Sequence, residues 1–177
     1  FITQKRLNVL GRFFYFRAMR NAHTLNELKT RLERYCAYQE RCHQEVKTKL
    51  RQLGAFRDDT DAVISHLIQN DYLNETRFAM LYVRSKFSIK KWGKKRIVNE
   101  LKQRKITSYN IDKALAQITE EDYLLTFDTL AEKRWDQLIR NKEPLPQRKK
   151  KWVSYLQYRG WENDLIFDAL YKKLAKS

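Results

Sequence analysis

The chain has 177 residues, 42% of them apolar and 13% aromatic, enough material for packed cores. Its 37 basic and 21 acidic residues leave a net charge of +16, which points to a polyanionic partner. Four Gly and two Pro are too few for an all-β fold with its frequent turns, no apolar run approaches the roughly 20 residues that span a bilayer, and no signal peptide is visible. We therefore expect an all-α chain with no membrane partner.

Residues 1–24 form a basic, aromatic segment in which Lys5, Arg6, Arg12 and Arg17 alternate with Phe13, Phe14, Tyr15 and Phe16. Such a mixture suits single-strand binding, but adjacent aromatics suit packing on the next unit better. A first three-helix repeat is expected over 25–73. Leu25, Leu28, Leu32 and Tyr35 recur at three and four residues, the spacing of a one-sided helix. Val46, Leu50 and Leu53 mark a second helix that Gly54 ends in a left-handed conformation, and Val63, Ile64, Leu67 and Ile68 mark a third. Between the first two, Cys36 and Cys42 can build neither a disulfide framework nor a four-ligand zinc site. His43 next to Cys42 has no further ligands in sight. We expect no metal, no cofactor and a reducing, cytoplasmic setting.

A second repeat, 74–118, opens at Asn74 and continues with Phe78, Leu81 and Tyr82, then Ile97 and Leu101, then a helix capped by Ser108 that buries Ile111, Leu115 and Ile118. A third, 119–177, opens with Thr119 capping and Asp122 three residues on. Leu124, Phe127, Ala131 and Leu138 form its first stripe, Pro144 and Pro146 a helix stop and start, and Trp152, Leu156, Ile166 and Leu170 the rest. The repeat shows in the offsets. Leu101 is followed by Ile106, Ile111 and Leu115 at the same intervals that separate Leu156 from Trp161, Ile166 and Leu170. Leu50, Phe56, Ile64 and Leu67 make a first copy with one extra residue before Phe56. With anchors about 50 residues apart, the expected fold is a tandem, elongated array of three three-helix repeats whose neighbours stack.

The positive charge is clustered. Lys86, Lys90, Lys91, Lys94, Lys95 and Arg96 follow one another without an acid and lead into the second helix of repeat two; Arg148, Lys149, Lys150 and Lys151 occupy the corresponding place in repeat three. Cations at a helix N-terminus are disfavoured by roughly 0.3–1 kcal/mol each. Stability alone would put acids there, so we expect both helix starts, with Arg84 beside them, to dock a polyanion. A merely solvated lysine face is the competing explanation. Nothing in the chain supports catalysis: it has no Gly-rich phosphate loop, no His-Glu-x-x-His and no nucleophile elbow. Glu120, Glu121 and Asp122 read as a helix-start group.

Asp71, Tyr72, Leu73, Arg77, Phe78, Ala79, Tyr82, Val83, Arg84 and Ser85 reproduce the central segment of the RecX family, which this chain resembles. Trp92, Gly93, Lys94, Lys95, Arg96 and Ile97, followed by Glu100 and Leu101, look like its Gly-Pro-basic-basic-Ile…Glu-Leu element, with Lys94 in place of the frequent Pro. Tyr35 to Leu50 resembles the family's first helix pair, Gln39, Cys42 and His43 departing from its usual Arg-Arg-Glu-Arg-Ser. The resemblance covers residues 30–175 and implies a curved three-helix array acting in the bacterial cytoplasm. On this resemblance the partner is the RecA filament on single-stranded DNA, whose growth, ATP hydrolysis, strand exchange and coprotease activity such proteins limit. Tyr72, Phe78 and Tyr82 are then core residues and the clustered cations the contacts. Two other classes fit the charge: a free-standing helical DNA- or RNA-binding protein without a RecA target, and a scaffold for acidic proteins. With no self-complementary patch, we expect a monomer.

Overall fold

The computed structural model of the chain describes residues 23–175. All regular structure among them is helical, and the chain divides into two compact units at Asn74 and Glu75. No described helix is long and apolar enough to cross a membrane.

The first unit holds α1 (Leu25–Tyr38), α2 (His43–Gln52) and α3 (Arg57–Gln69), each packed on the other two. Thr24 starts α1 with a capping box: its hydroxyl accepts from the Glu27 N–H at 3.3 Å, and the Glu27 carboxylate accepts from the Thr24 N–H at 2.9 Å. The core is apolar throughout, with Leu28, Leu32 and Cys36 from α1, Val46 and Leu50 from α2, Val63 and Leu67 from α3, and Leu73 beyond it.

The second unit holds α4 (Glu75–Ser88), α5 (Lys94–Gln103), α6 (Ser108–Leu115), α7 (Glu120–Arg140), α8 (Leu145–Tyr158) and α9 (Asn163–Leu174). Helices α4, α5 and α6 pack on one another, and α8 packs on both α7 and α9. Phe78, Ala79, Val83 and Phe87 of α4 meet Ile97 and Leu101 of α5 and Ile111 and Ala114 of α6 in the buried set. Tyr123, Phe127, Ala131, Trp135 and Leu138 line the inner face of α7, and the buried Trp152 indole donates to the Ala131 carbonyl at 2.8 Å.

One turn recurs at the end of each second helix and corrects the expected alignment. The N–H of Ala55 returns to the Leu50 carbonyl at 3.1 Å, that of Ile106 to Leu101 at 3.1 Å, and that of Trp161 to Leu156 at 3.2 Å. The preceding residues, Gly54, Lys105 and Gly160, have φ of 74°, 60° and 84°, as the Schellman closure requires. The offset is therefore five in all three copies. Ala55, and not Phe56, is the counterpart of Ile106 and Trp161; Phe56 caps α3 and is 66% exposed. The small side chain of Ala55 hid the match.

Three further expectations shift by a residue or a turn. Thr107 rather than Ser108 caps α6, its hydroxyl accepting from the Asn110 N–H. Tyr123 rather than Leu124 opens the buried stripe of α7, because Tyr123 continues the four-residue spacing through Phe127, Ala131 and Trp135. Both prolines belong to the start of α8, Pro144 as N-cap and Pro146 in the first turn, while α7 is stopped by Lys142 at φ 53°.

Candidate polyanion interface

The sequence predicts an open positive end where the basic run enters α5; the structure fills that end from within. The Lys94 N–H donates to the Tyr123 hydroxyl at 2.9 Å, and that hydroxyl donates to a Glu162 carboxylate oxygen at 2.7 Å. A carboxylate from the start of α9 thus reaches the positive end of α5 through a phenol. Burial pushes the Tyr123 phenol far above its ordinary range; the bond from Lys94 opposes the rise and Glu162 adds to it. It remains a donor throughout the neutral range. The Lys94 ammonium lies 4.2 Å over the Tyr123 ring and 3.6 Å from a Glu120 oxygen.

Backbone contact closes the same junction. The Gly93 N–H donates to the Arg159 carbonyl at 2.9 Å, and a Cβ on Gly93 would stand 2.3 Å from the Gly160 oxygen. A Cβ on Gly160 would stand 2.5 Å from the Arg96 nitrogen. Both glycines are required by the closeness of α5 to the α8–α9 turn. Arg159 donates across it to the Lys90 carbonyl. Trp161, fully buried, packs its ring 4.7 Å from Tyr123 and 5.2 Å from Phe127.

Aromatic rings hold three of the predicted contact residues around the start of α5. The Arg96 guanidinium is sandwiched between Trp92, 4.0 Å from its ring centre, and Tyr158, 4.5 Å away, and it donates to the Tyr158 carbonyl at 2.8 Å. Lys86 lies 5.1 Å over Tyr82 and 5.3 Å over Trp92, and Lys94 rests on Tyr123. Lys90 and Lys95 point outward, as does Arg84 on α4. Arg84 and the half-buried Lys91 line a groove of about 460 Å³ with Ser88, Gln117, Asp122 and Thr126.

The second basic cluster is not at a helix start. Helix α8 begins at Leu145, so Arg148 to Lys151 lie in its second turn, and the Arg148 N–H is already bonded to the Pro144 carbonyl at 2.8 Å. The dipole argument does not apply to them. The Arg148 guanidinium donates to the Glu143 carbonyl at 2.9 Å and lies 5.5 Å over Trp135; Lys151 pairs with the Glu143 carboxylate. Lys149 is half-buried and Lys150 exposed. The cluster is seven to ten residues before Tyr158, roughly 10–15 Å along the helix axis, so α8 does not bring it to the α5 start.

The sequence reading missed Tyr123, Glu162, Trp92, Tyr158 and Glu143. A signal existed for Tyr123 in its spacing to Phe127; none existed for Glu162, whose role depends on a chain reversal 39 residues away. Among the described residues no group of three or more His, Cys, Asp or Glu is placed to hold a metal ion.

Known proteins resemble this arrangement. A family model for the second three-helix domain of RecX matches residues 74–115, and one for the third matches residues 120–170. Regulatory protein RecX of Vibrio campbellii is 33% identical over 126 residues, 71% of this chain and 78% of that protein. Regulatory protein RecX of Lactobacillus johnsonii is 27% identical over 131 residues, 74% of this chain; the chain spans only 48% of that relative's length. The crystal structure of RecX from Lactobacillus salivarius superposes with a TM-score of 0.71 at 26% identity, covering 86% of this chain and 97% of that one.

Proposed function

The chain belongs to the RecX family, and on that footing we propose that it is a non-catalytic modulator, mainly an inhibitor, of homologous recombination and DNA repair in the cytoplasm. Its target in this reading is the RecA filament on single-stranded DNA. We take the chain as a first segment, 1–24, followed by repeats 25–73, 74–118 and 119–177. The observation that carries the reading is a basic edge held in order: Arg96, Lys86 and Lys94 fixed on aromatic rings, with Lys90, Lys95 and Arg84 projecting beside them. Lys149 and Lys150 add a second basic surface on α8.

A protein that binds one state of the filament better than another shifts the filament toward that state without chemistry of its own. Bound along RecA subunits, it limits filament growth by occupancy. The test is RecA-dependent ATP hydrolysis on single-stranded DNA with this protein titrated in. A concentration-dependent fall is expected, and unchanged hydrolysis would remove the proposal. Replacing Lys95 and Lys150 with Gln should lower the salt slope of binding by about one per lysine.

The net charge of +16 keeps one alternative in play, a free-standing DNA- or RNA-binding protein without a RecA target. Binding to RecA-coated DNA, set against binding to bare single and double strands, separates the two. Equal or tighter binding to bare DNA favours the alternative.

A further inference from the structure

Between α5 and the α8–α9 turn lies a cleft of about 370 Å³, lined among others by Lys95, Asn99, Tyr158 and Asn163. It falls within the roughly 300–1,000 Å³ range of small-ligand sites. One wall is the outer end of the aromatic stack. Trp92, Arg96 and Tyr158 lie face to face in that order, and the last ring is 72% exposed although Arg96 holds its inner side. A tyrosine pinned by a guanidinium on one face and open on the other is a platform with little conformational freedom left to lose.

Resting on the RecA–DNA reading for its choice of DNA, we propose that this cleft binds one nucleotide of single-stranded DNA, the base stacked on Tyr158. Base stacking on an aromatic face serves any base and needs that base unpaired and splayed, because a duplex keeps its base faces covered by their neighbours. Lys95 stands at the rim as the phosphate partner. The side-chain amides of Asn99 and Asn163 offer both donors and acceptors to a base edge, and Asn163 already accepts from the Gln157 amide at 3.1 Å. The one acid in the lining, Glu100, is paired with Arg104 at 2.8 Å, so it does not set an unopposed negative charge against the phosphate. Lys95 and Arg96, two of the cations assigned to filament contact, are themselves part of the lining.

The test uses the full chain without RecA and a fluorescein-labelled oligothymidine of 15 nucleotides, followed by anisotropy. The Tyr158→Ala variant should bind about thirty-fold more weakly, the middle of the range for removing one stacking ring. Tyr158→Phe should stay within about two-fold of the parent, since the ring and not the hydroxyl does the stacking. Unlabelled single strand should compete better than a duplex of equal length. The proposal is overturned by an unchanged affinity in Tyr158→Ala, by equal loss in Tyr158→Phe, by duplex competing as well as single strand, by RNA binding in place of DNA, or by no binding at all. Because Tyr158 projects into solvent, circular dichroism should show both variants folded as the parent is. Failure here leaves the RecA hydrolysis result standing; a flat hydrolysis result with Tyr158-dependent oligonucleotide binding sinks the filament reading and leaves the cleft.

Discussion

Replacing Gly93 with Ala isolates the contact between α5 and the α8–α9 turn. Gly93 has φ −74°, which any residue adopts, so an effect must come from the added methyl. That methyl would meet the Gly160 oxygen at 2.3 Å, the Gly160 carbonyl carbon at 2.6 Å and the Trp161 nitrogen at 2.7 Å. All three are backbone atoms, so no rotamer change relieves the clash. Overfilling of this kind costs about 1–3 kcal/mol. Moving the turn away breaks the Gly93 to Arg159 bond and disturbs the Lys94 to Tyr123 bond, each worth about 1 kcal/mol. The sum is roughly 3–5 kcal/mol, and at about 4 °C per kcal/mol for a unit of this size the melting temperature should fall by about 12–20 °C. Trp92, Trp135, Trp152 and Trp161, the four tryptophans of the chain, all lie in the second unit. Fluorescence on heating therefore follows that unit, while the buried thiols of Cys36 and Cys42 follow the first. Gly54→Ala is the comparison: φ is 74° but nothing lies within 4 Å of the methyl, leaving only left-handed strain of about 1–2 kcal/mol. A Gly93→Ala tryptophan transition within about 3 °C of the parent, or a Gly54→Ala variant equally damaged, would refute the reasoning.

Tyr123→Phe removes the acceptor of the Lys94 N–H and the donor to Glu162, so it should cost about 1–3 kcal/mol in urea melts, and Glu162→Gln should add little to it. The same melts carry a pH signature. Burial raises the phenols of Tyr35, Tyr82 and Tyr123 above the ordinary value of 10, so the unfolded chain ionises first. Stability from these groups is complete below pH 10 and is lost as pH rises beyond it; midpoints should decline above that pH, and less steeply in Tyr123→Phe. Burial also raises the Cys36 thiol to about 11, so a thiol reagent at pH 8 should label it only as the first unit unfolds. Finally, Lys105 sits at φ 60° in the turn that Gly54 and Gly160 make elsewhere. Lys105→Gly should stabilise the second unit by up to about 1 kcal/mol, and a lower melting temperature would count against that account of the turn.

The helices were legible because their apolar spacing and their stops are local. Leu28 and Leu32, Ile97 and Leu101, and Phe127 and Ala131 recur at four residues and are buried, and Gly54 and Thr119 mark boundaries by backbone and side-chain chemistry within a few residues. Where two side chains competed, size misled: Phe56 outweighed Ala55, and Leu124 outweighed Tyr123. The cation clusters were legible as charge but not as geometry. Whether Lys94 meets solvent or a phenol depends on Tyr123 and Glu162, 29 and 68 residues downstream, and whether Arg148 starts a helix depends on where Pro144 places the first turn.

What remains is why three cations occupy the first turn of α5. The dipole opposes each by roughly 0.3–1 kcal/mol, and fixing a Lys or Arg side chain costs up to about 1.5–2 kcal/mol of rotamer entropy. Against this stand cation–π contacts of about 0.5–1 kcal/mol at exposed sites, with the carboxylates of Glu120 and Glu162 close to Lys94. The favourable terms do not exceed the opposing ones, so folding stability does not explain the run. A solvated lysine face would not need Trp92, Tyr123 and Tyr158 to hold it either. The rings fix Arg96, Lys94 and Lys86 before any partner arrives, while Lys90 and Lys95 are left projecting. Side chains ordered during folding lose little further freedom on binding. An anionic partner that meets this edge gains its attraction without the ordering cost that a mobile lysine cluster would impose, and that saving is a physical reason for a chain to keep charge where its own stability gains nothing.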